Sequence, residues 1–331
     1  TFLNNTYRSS IAYQKWWPNK PYRLSVSGGH SQNTQTKDIS FQIPQFNFSV
    51  SRVNPFQRKV ATGGKKWYEN IGFSYTMDMQ NQINTKDSLL FTKETFRDMK
   101  NGIKHSIPIS SGGLSIGKAI SLSLGMDYVE RWYFKSQEKN YHETVDTFYV
   151  EEITKNGFNA VRDFGFNATL SSRIYGMFQF KKGKIKAIRH VMTPQINFTY
   201  RPDFGKEKWG YYSKVQTTPE GNYQTYSKFS NGIYGNASSG PVGSLGFSLN
   251  NNIEMKVRSK KDTIKGEKKI PLLENLNFRG SYNFIADSFQ LSDLTFSANN
   301  RISQYLSLNV NGTFDPYIYN KDLNRRTPKL G

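Results

Sequence analysis

The stretch Gly112-Gly113-Leu114-Ser115-Ile116-Gly117-Lys118-Ala119 has the G-x4-G-K spacing of a phosphate-cradling loop, in which glycine backbone wraps an anion and a lysine reaches its outer oxygens. The match fails at its last position. Ala119 stands where a Ser or Thr hydroxyl would hold magnesium, and the residues after it alternate like a strand instead of opening a helix whose N-terminus faces phosphate. The four histidines, His30, His105, His142 and His190, show no i, i+2 or i, i+4 pairing, so no local metal site is written into the chain. Glu151 and Glu152 are adjacent, which in a strand sends the carboxylates to opposite faces and prevents joint acid–base work. Cysteine is absent, removing thiolate nucleophiles, Cys-based zinc and disulfides together. No catalytic, cofactor-binding or metal-ligating residue is assigned, and an enzyme is not expected.

Lys and Arg total 45 against 25 Asp and Glu, a net charge of +20 over 331 residues that steers anionic partners. The basic residues gather at expected turns, at Lys65-Lys66, 181–186, 258–269 and Arg325-Arg326, which is the pattern of solvated loops, with anionic lipid as the sharper alternative. Basic residues also interleave with aromatics, as in single-strand nucleic-acid binders. Such a groove needs both types on one face, whereas here aromatics and polar residues fall on opposite faces, so nucleic acid is not an expected partner.

The elements that would carry any site are written in period two. Ile71, Phe73, Tyr75, Met77 and Met79 interleave with Gly72, Ser74, Thr76 and Asp78, and Ile120, Leu122, Leu124, Met126 and Tyr128 with Ser121, Ser123, Gly125 and Asp127. The texture returns at Phe164 to Leu170, at Leu276 to Phe284 and at Leu306 to Phe314. One strand changes parity: Ile39, Phe41 and Ile43 are apolar at odd positions, Phe46, Phe48 and Val50 at even ones, with Pro44 at the break. That is the signature of a β-bulge, with a tight turn as the rival explanation.

No run of about 18 apolar residues exists, so there is no transmembrane helix, but a spanning β-strand shows lipid just every second residue and leaves no hydropathy peak. Short turns are expected at Asn156-Gly157, Lys182-Gly183-Lys184 and Ala237 to Gly240, and long polar loops at 82–104, 201–232 and 258–272. Trp16, Trp17, Trp67, Trp132 and Trp209, with Tyr68, Tyr133, Tyr211 and Tyr212, read as a girdle at strand ends. The expectation is an all-β fold: an antiparallel transmembrane β-barrel of the outer-membrane type, with roughly fourteen strands. The start without Met or signal peptide marks a processed chain or a fragment, and the ending from Arg325 to Gly331 reads as a loop-like tail.

The stretch Ile188-Arg189-His190-Val191-Met192-Thr193-Pro194, followed by Ile196, Phe198, Tyr200-Arg201-Pro202-Asp203-Phe204 and Tyr211-Tyr212, resembles the RH-x-x-x-P and Y-x-P-D strand and loop of the outer-membrane lipopolysaccharide assembly family, LptD. Similar pieces are Ile43-Pro44 with Asn54-Pro55-Phe56, Trp67-Tyr68-Glu69-Asn70, and Phe314-Asp315-Pro316-Tyr317. The resemblance implies the middle part of a barrel of about 26 strands. Residues 1–331 would then be a portion of one transmembrane barrel domain, with a periplasmic jelly-roll domain upstream and absent from this chain. It implies an LptE-like plug lipoprotein, periplasmic Lpt bridge components, outer-membrane lipids and lipopolysaccharide as partners, and a place in the outer membrane of a Gram-negative bacterium. Arg189, His190, Pro194, Tyr200, Pro202 and Asp203 are the family-motif residues, with Arg189 and His190 acting by contact or by shaping a strand edge kinked at Pro194. Asp78, Asn167, Lys256 and Arg279 are the polar positions expected to face a lumen. The alternatives are another outer-membrane channel, porin-like or for nutrients, and a soluble β-rich binding protein.

Overall fold

The computed structural model describes residues 5–60, 63–117, 119–258, 267–301, 305–320 and 325–331. The chain falls into two compact units, Thr1–Ser110 with Met126–Gly165 and Pro202–Pro241, and Ser111–Gly125 with Phe166–Arg201 and Val242–Gly331.

In chain order the strands are β1 (Thr6–Trp16), β2 (Tyr22–Asn33), β3 (Asp38–Val53), β4 (Gly72–Lys86), β5 (Lys100–Ser110), β6 (Leu114–Ile116), β7 (Ile120–Glu143), β8 (Phe148–Ser172), β9 (Ile174–Gln179) and β10 (Ile185–Arg201). They continue with β11 (Tyr212–Gln216), β12 (Tyr223–Ser227), β13 (Val242–Arg258), β14 (Glu267–Asn283), β15 (Leu294–Arg301), β16 (Ser307–Phe314), β17 (Tyr317–Asn320) and β18 (Arg325–Leu330). Fourteen strands share one sheet in the order β1-β2-β3-β4-β5-β7-β8-β10-β13-β14-β15-β16, with β6 on β7 and β9 on β10; β11-β12 and β17-β18 are separate hairpins. The fold is thus all-β and antiparallel as expected. Among the described residues no ladder joins β1 to β16, so no barrel closes.

In the first unit the parity break in β3 is a bulge within a continuous strand and not a turn. Gln42 pairs with Gln82 and Gly29, Gln45 with Gln80 and Ser27, so β3 carries one residue more than either neighbour between these pairs. The extra residue returns Phe46 to the face of Phe41: Phe41 lies across from Ile83, Phe46 from Met79 and Phe48 from Met77. The loop between β3 and β4 is knotted around Glu69, which is 2% exposed and pairs with Arg58. Glu69 also accepts from the Lys66 N–H at 3.0 Å, and its carbonyl accepts from Asn54 Nδ2 at 3.1 Å.

Residues 202–241 of the same unit do not form a solvated loop. The Asp203 carboxylate accepts from the Gly205 and Gly240 N–H groups, both at 2.8 Å, and so ties the neck of the segment. Phe204, Phe229 and Ala237 then bury themselves with Tyr133 of β7 and Val161 of β8. Tyr133 donates to the Gly235 carbonyl at 2.5 Å, Tyr234 donates to the Asp78 carbonyl at 2.8 Å, and an Arg131–Asp163 ion pair at 3.1 Å lies beside the cluster. Tyr133 and Arg131 share the polar parity of β7, opposite Leu124, Met126 and Tyr128.

Asn156-Gly157 lies inside the 25-residue β8, with no positive φ at either residue, because Lys155–Glu138, Lys139–Glu152 and His142–Glu151 pairs hold the strand against β7. The turn between these strands is at 144–147, closed by Thr144 N–H to the Thr147 carbonyl at 2.8 Å. Ala237 to Gly240 ends the long insertion and does not connect two strands directly. Of 82–104, residues 82–86 belong to β4 and 100–104 to β5, and the connection between them carries a six-residue helix, α1 (Lys93–Asp98). Of 258–272, residues 267–272 belong to β14 and 259–266 lie outside the described residues. Trp132 sits in mid-strand, Tyr133 belongs to the buried cluster, and Trp209 and Tyr211 are partly buried against that cluster and not in a strand-end girdle.

In the second unit Gly117, with φ +65°, turns β6 into β7, so the phosphate-loop spacing is a hairpin; Lys118 lies outside the described residues. The tail is the strand β18, where Arg326 bridges Asp293 at 2.8 Å and Asp315 at 2.7 Å and lies over the Tyr317 ring at 5.4 Å. Its charges were legible but not the hairpin that uses them.

The Arg58 guanidinium, then the Lys66 N–H, hold the Glu69 carboxyl below the ordinary carboxylate range. The stabilisation is full above the unfolded value near about 4.3 and is lost as pH falls through the lower folded value. Protease nicking between 54 and 70 is expected to rise below about pH 4 in the parent and to be high and flat with pH in Glu69→Gln. Asp203→Ala strips two N–H groups of their acceptor at roughly 1–3 kcal/mol each. Cleavage within 206–222 should then increase with far-UV circular dichroism unchanged; unchanged cleavage contradicts the clamp.

Candidate functional site

Strand β10 carries the motif and lies between β8 and β9 on one side and β13 on the other. Its odd residues, Arg189, Thr193, Gln195, Asn197 and Thr199, meet Glu254, Asn250, Ser248, Gly246 and Ser244 of β13. Its even residues, Pro194, Ile196 and Phe198, meet Leu249, Phe247 and Leu245. The separation continues outward: Leu249 faces Phe278 and Asn250 faces Asn277 on β14, then Phe278 faces Phe296 and Asn277 faces Ser297 on β15. On β16, Val310 follows Ala298 and Asn311 follows Ser297. One face is a continuous apolar surface and the other a continuous polar one.

The apolar face is not a buried core. Ile196, Phe278, Leu308 and Phe314 are 44%, 46%, 53% and 63% exposed. Glycine makes its ring packing possible: a Cβ at Gly312 would fall 2.2 Å from Phe296, and one at Gly280 would fall 2.6 Å from Phe247, so each ring lies over its cross-strand glycine.

Adjacent Arg189 and His190 take opposite faces. Arg189 pairs with Glu254 at 2.5 Å on the polar side, with Lys269 at 3.7 Å from the same carboxylate. His190 lies on the apolar side, where its Nε2 is 3.0 Å from Oδ1 of Asn251, itself 8% exposed and donating to the Leu276 carbonyl at 3.3 Å. A polar pair on an apolar face is tolerable because each member satisfies the other. Pro194 leaves the ladder to β13 undisturbed, while the ladder on its other side stops between Met192–Ile174 and Gln195–Ser171, the place where a residue without N–H fits. Tyr200 ends the apolar row opposite Gly243, and Pro202 with Asp203 opens the insertion already described.

The polar face over β10, β13 and β14 holds a cleft of about 560 Å³ whose wall includes Arg173, Tyr175, Arg189, Asn250, Asn252 and Asn277. Arg189 Nε and Asn277 Oδ1 are shielded and find no hydrogen-bond partner among the described residues. Lys256 pairs with Glu267 at 3.6 Å, Arg279 faces Ser248, and Asn167 faces Thr199 and sits where a Cβ on Gly125 would clash at 2.4 Å. These three share the polar parity of the second unit. Asp78, in the first unit, accepts from Asn47 and lies across from Lys104 on the polar parity of β4. Sequence reasoning missed Glu254, Asn251, Arg173 and Tyr175, because their partnership with the motif exists only through register. Among the described residues no group of His, Asp and Glu could hold a metal ion.

No curated protein and no solved structure matches this chain. The family model described as LptD protein matches residues 1–317, which takes in the bulge of β3, the Glu69 loop, the motif strand and its polar cleft. The chain belongs to the LptD family, whose role is in lipopolysaccharide transport and outer-membrane assembly.

Proposed function

We propose that this chain is part of the wall of an outer-membrane β-barrel that inserts lipopolysaccharide into the outer leaflet. The observation that carries the reading is the division of the sheet into an exposed apolar face and a polar face with a cleft. Lipid acyl chains cover the first, and the phosphorylated saccharide passes along the second, where Arg279, Lys256, Asn167 and Asp78 line the lumen. Arg189 and His190 hold β10 to β13 from both faces, so their role is to shape the wall beside the Pro194 interruption.

Strand β1 is exposed along its whole length and β16 nearly so. Rows of unpaired N–H and C=O groups are not tolerated in hydrocarbon, so further strands of the same protein complete the barrel. Residues 1–331 are in this reading a portion of one transmembrane domain preceded by a periplasmic jelly roll. An LptE-like lipoprotein fills the lumen and periplasmic Lpt bridge components deliver the substrate. Strand β8, at about 3.3 Å per residue, is far longer than the ~30 Å hydrocarbon core requires, so its outer part stands clear of the bilayer.

Phe247 and Ser248 are neighbours on opposite faces, which makes them a paired test. Phe247→Arg is expected to cost about 2–4 kcal/mol of folding stability in lipid vesicles if it lies near the bilayer midplane, while Ser248→Arg costs about zero. Equal effects, or a chain that stays monomeric in buffer without detergent, would remove the membrane reading. Depletion in cells should strand lipopolysaccharide at the inner membrane; an unchanged lipid distribution would favour a nutrient channel.

A further inference from the structure

The first unit encloses a second cavity, about 300 Å³, at the junction of α1 with β5, against β7 and beneath the 202–241 insertion. We propose that this cavity binds a phosphorylated sugar. Lys100, Lys135 and Lys228 line it, against a single carboxylate, Asp98, which lies 3.4 Å from Arg97. The Lys135 ammonium is anchored by the Arg97 and Met99 carbonyls at the end of α1, the latter at 3.1 Å, so its charge is held at the wall. Among the described residues Lys100 and Lys228 make no ion pair, and three lysines lining one partly enclosed space favour an anion there.

The rest of the wall is wrong for bare phosphate and right for a ring with hydroxyls. Asn101, Asn231 and Gln137 present amides, and Gln137 Oε1 already accepts from Ser230 at 2.8 Å, which leaves its NH2 group to donate. Met99 and Ile233 supply an apolar patch. Tyr133 and Phe229 stack on each other at 5.3 Å and are 2% and 5% exposed, so neither offers a free face to a nucleobase. The volume is at the lower end of small-ligand pockets, which run from about 300 Å³, and suits one phosphorylated ring. Lys228 and Asn231 come from the insertion and Lys100 from β5, so an occupant would also tie the insertion to the sheet strands of its own unit.

The test is calorimetric titration of the full chain in mild detergent with glucose 1-phosphate, inorganic phosphate and glucose as separate probes. Saturable binding of glucose 1-phosphate, weaker binding of phosphate and none of glucose are expected, together with protection of the insertion from protease at saturation. Lys100→Gln with Lys228→Gln should weaken glucose 1-phosphate at least about tenfold, and Lys100→Arg with Lys228→Arg should retain it. A parallel arm uses short-chain phosphatidylinositol 4-phosphate in micelles: binding there but not of the free sugar phosphate assigns the source to a lipid headgroup. Failure of every phosphate probe to bind, or parent-like binding by the glutamine pair, overturns the proposal. If that pair does not fold, salt dependence of the parent decides, since an affinity indifferent to ionic strength is incompatible with lysine contacts.

Discussion

A strand has two faces, and a slip of one residue exchanges them. The ladders from β10 to β16 keep apolar residues against apolar ones, so Pro194, Leu249, Phe278 and Phe296 line one side while Gln195, Asn250, Asn277 and Ser297 line the other. In the first unit the sequence breaks this rule at Pro44, and the single extra residue in β3 repairs it before Phe46. Register is therefore the constraint from which the apolar wall, the polar cleft and the motif geometry all follow. Gly280 and Gly312 serve it too, because their missing side chains let Phe247 and Phe296 lie across the strand without forcing the ladder apart.

The first unit adds what the alternating strands lack, a buried core. Its residues come from the polar parity of β7 and β8 and from the insertion, so Tyr133 and Val161 are covered by Phe204 and Phe229 where polar residues would otherwise meet water. Asp203 has a plain physical task in this arrangement, closing the neck with two N–H acceptances. These residues thus divide their labour: Arg189 and His190 both bind the neighbouring strand β13, Pro194 marks a ladder interruption, and Asp203 shapes the segment that follows.

Much of the sheet was legible because period two is local and survives reading one residue after another. The bulge was legible for the same reason, since parity is counted along a single strand. What escaped reading depends on partners remote in sequence. Asn156-Gly157 carries the local chemistry of a tight turn, yet pairs between β7 and β8 extend the strand through it. The insertion looks like a polar loop until Tyr133 is joined to Gly235 and Tyr234 to Asp78. Likewise Arg189 signals a charge but not Glu254, and His190 signals a ring but not Asn251, because only the β10–β13 register names them. Trp132 and Tyr133 show the limit of composition: aromatic residues beside one another in a strand go to opposite faces and into different environments.

A membrane wall requires acyl chains against one face of the sheet and water against the other. Spin labels at single cysteines placed along β13 from Leu245 to Ile253 would report it directly, and the chain has no native cysteine to interfere. In lipid vesicles, labels at Leu245, Phe247 and Leu249 are predicted to be relaxed by oxygen, which concentrates in acyl chains. Those at Ser248, Asn250 and Asn252 should be relaxed by a water-soluble nickel complex, the two signals alternating residue by residue. Equal access of the nickel complex to both sets would place water on both faces and contradict the claim.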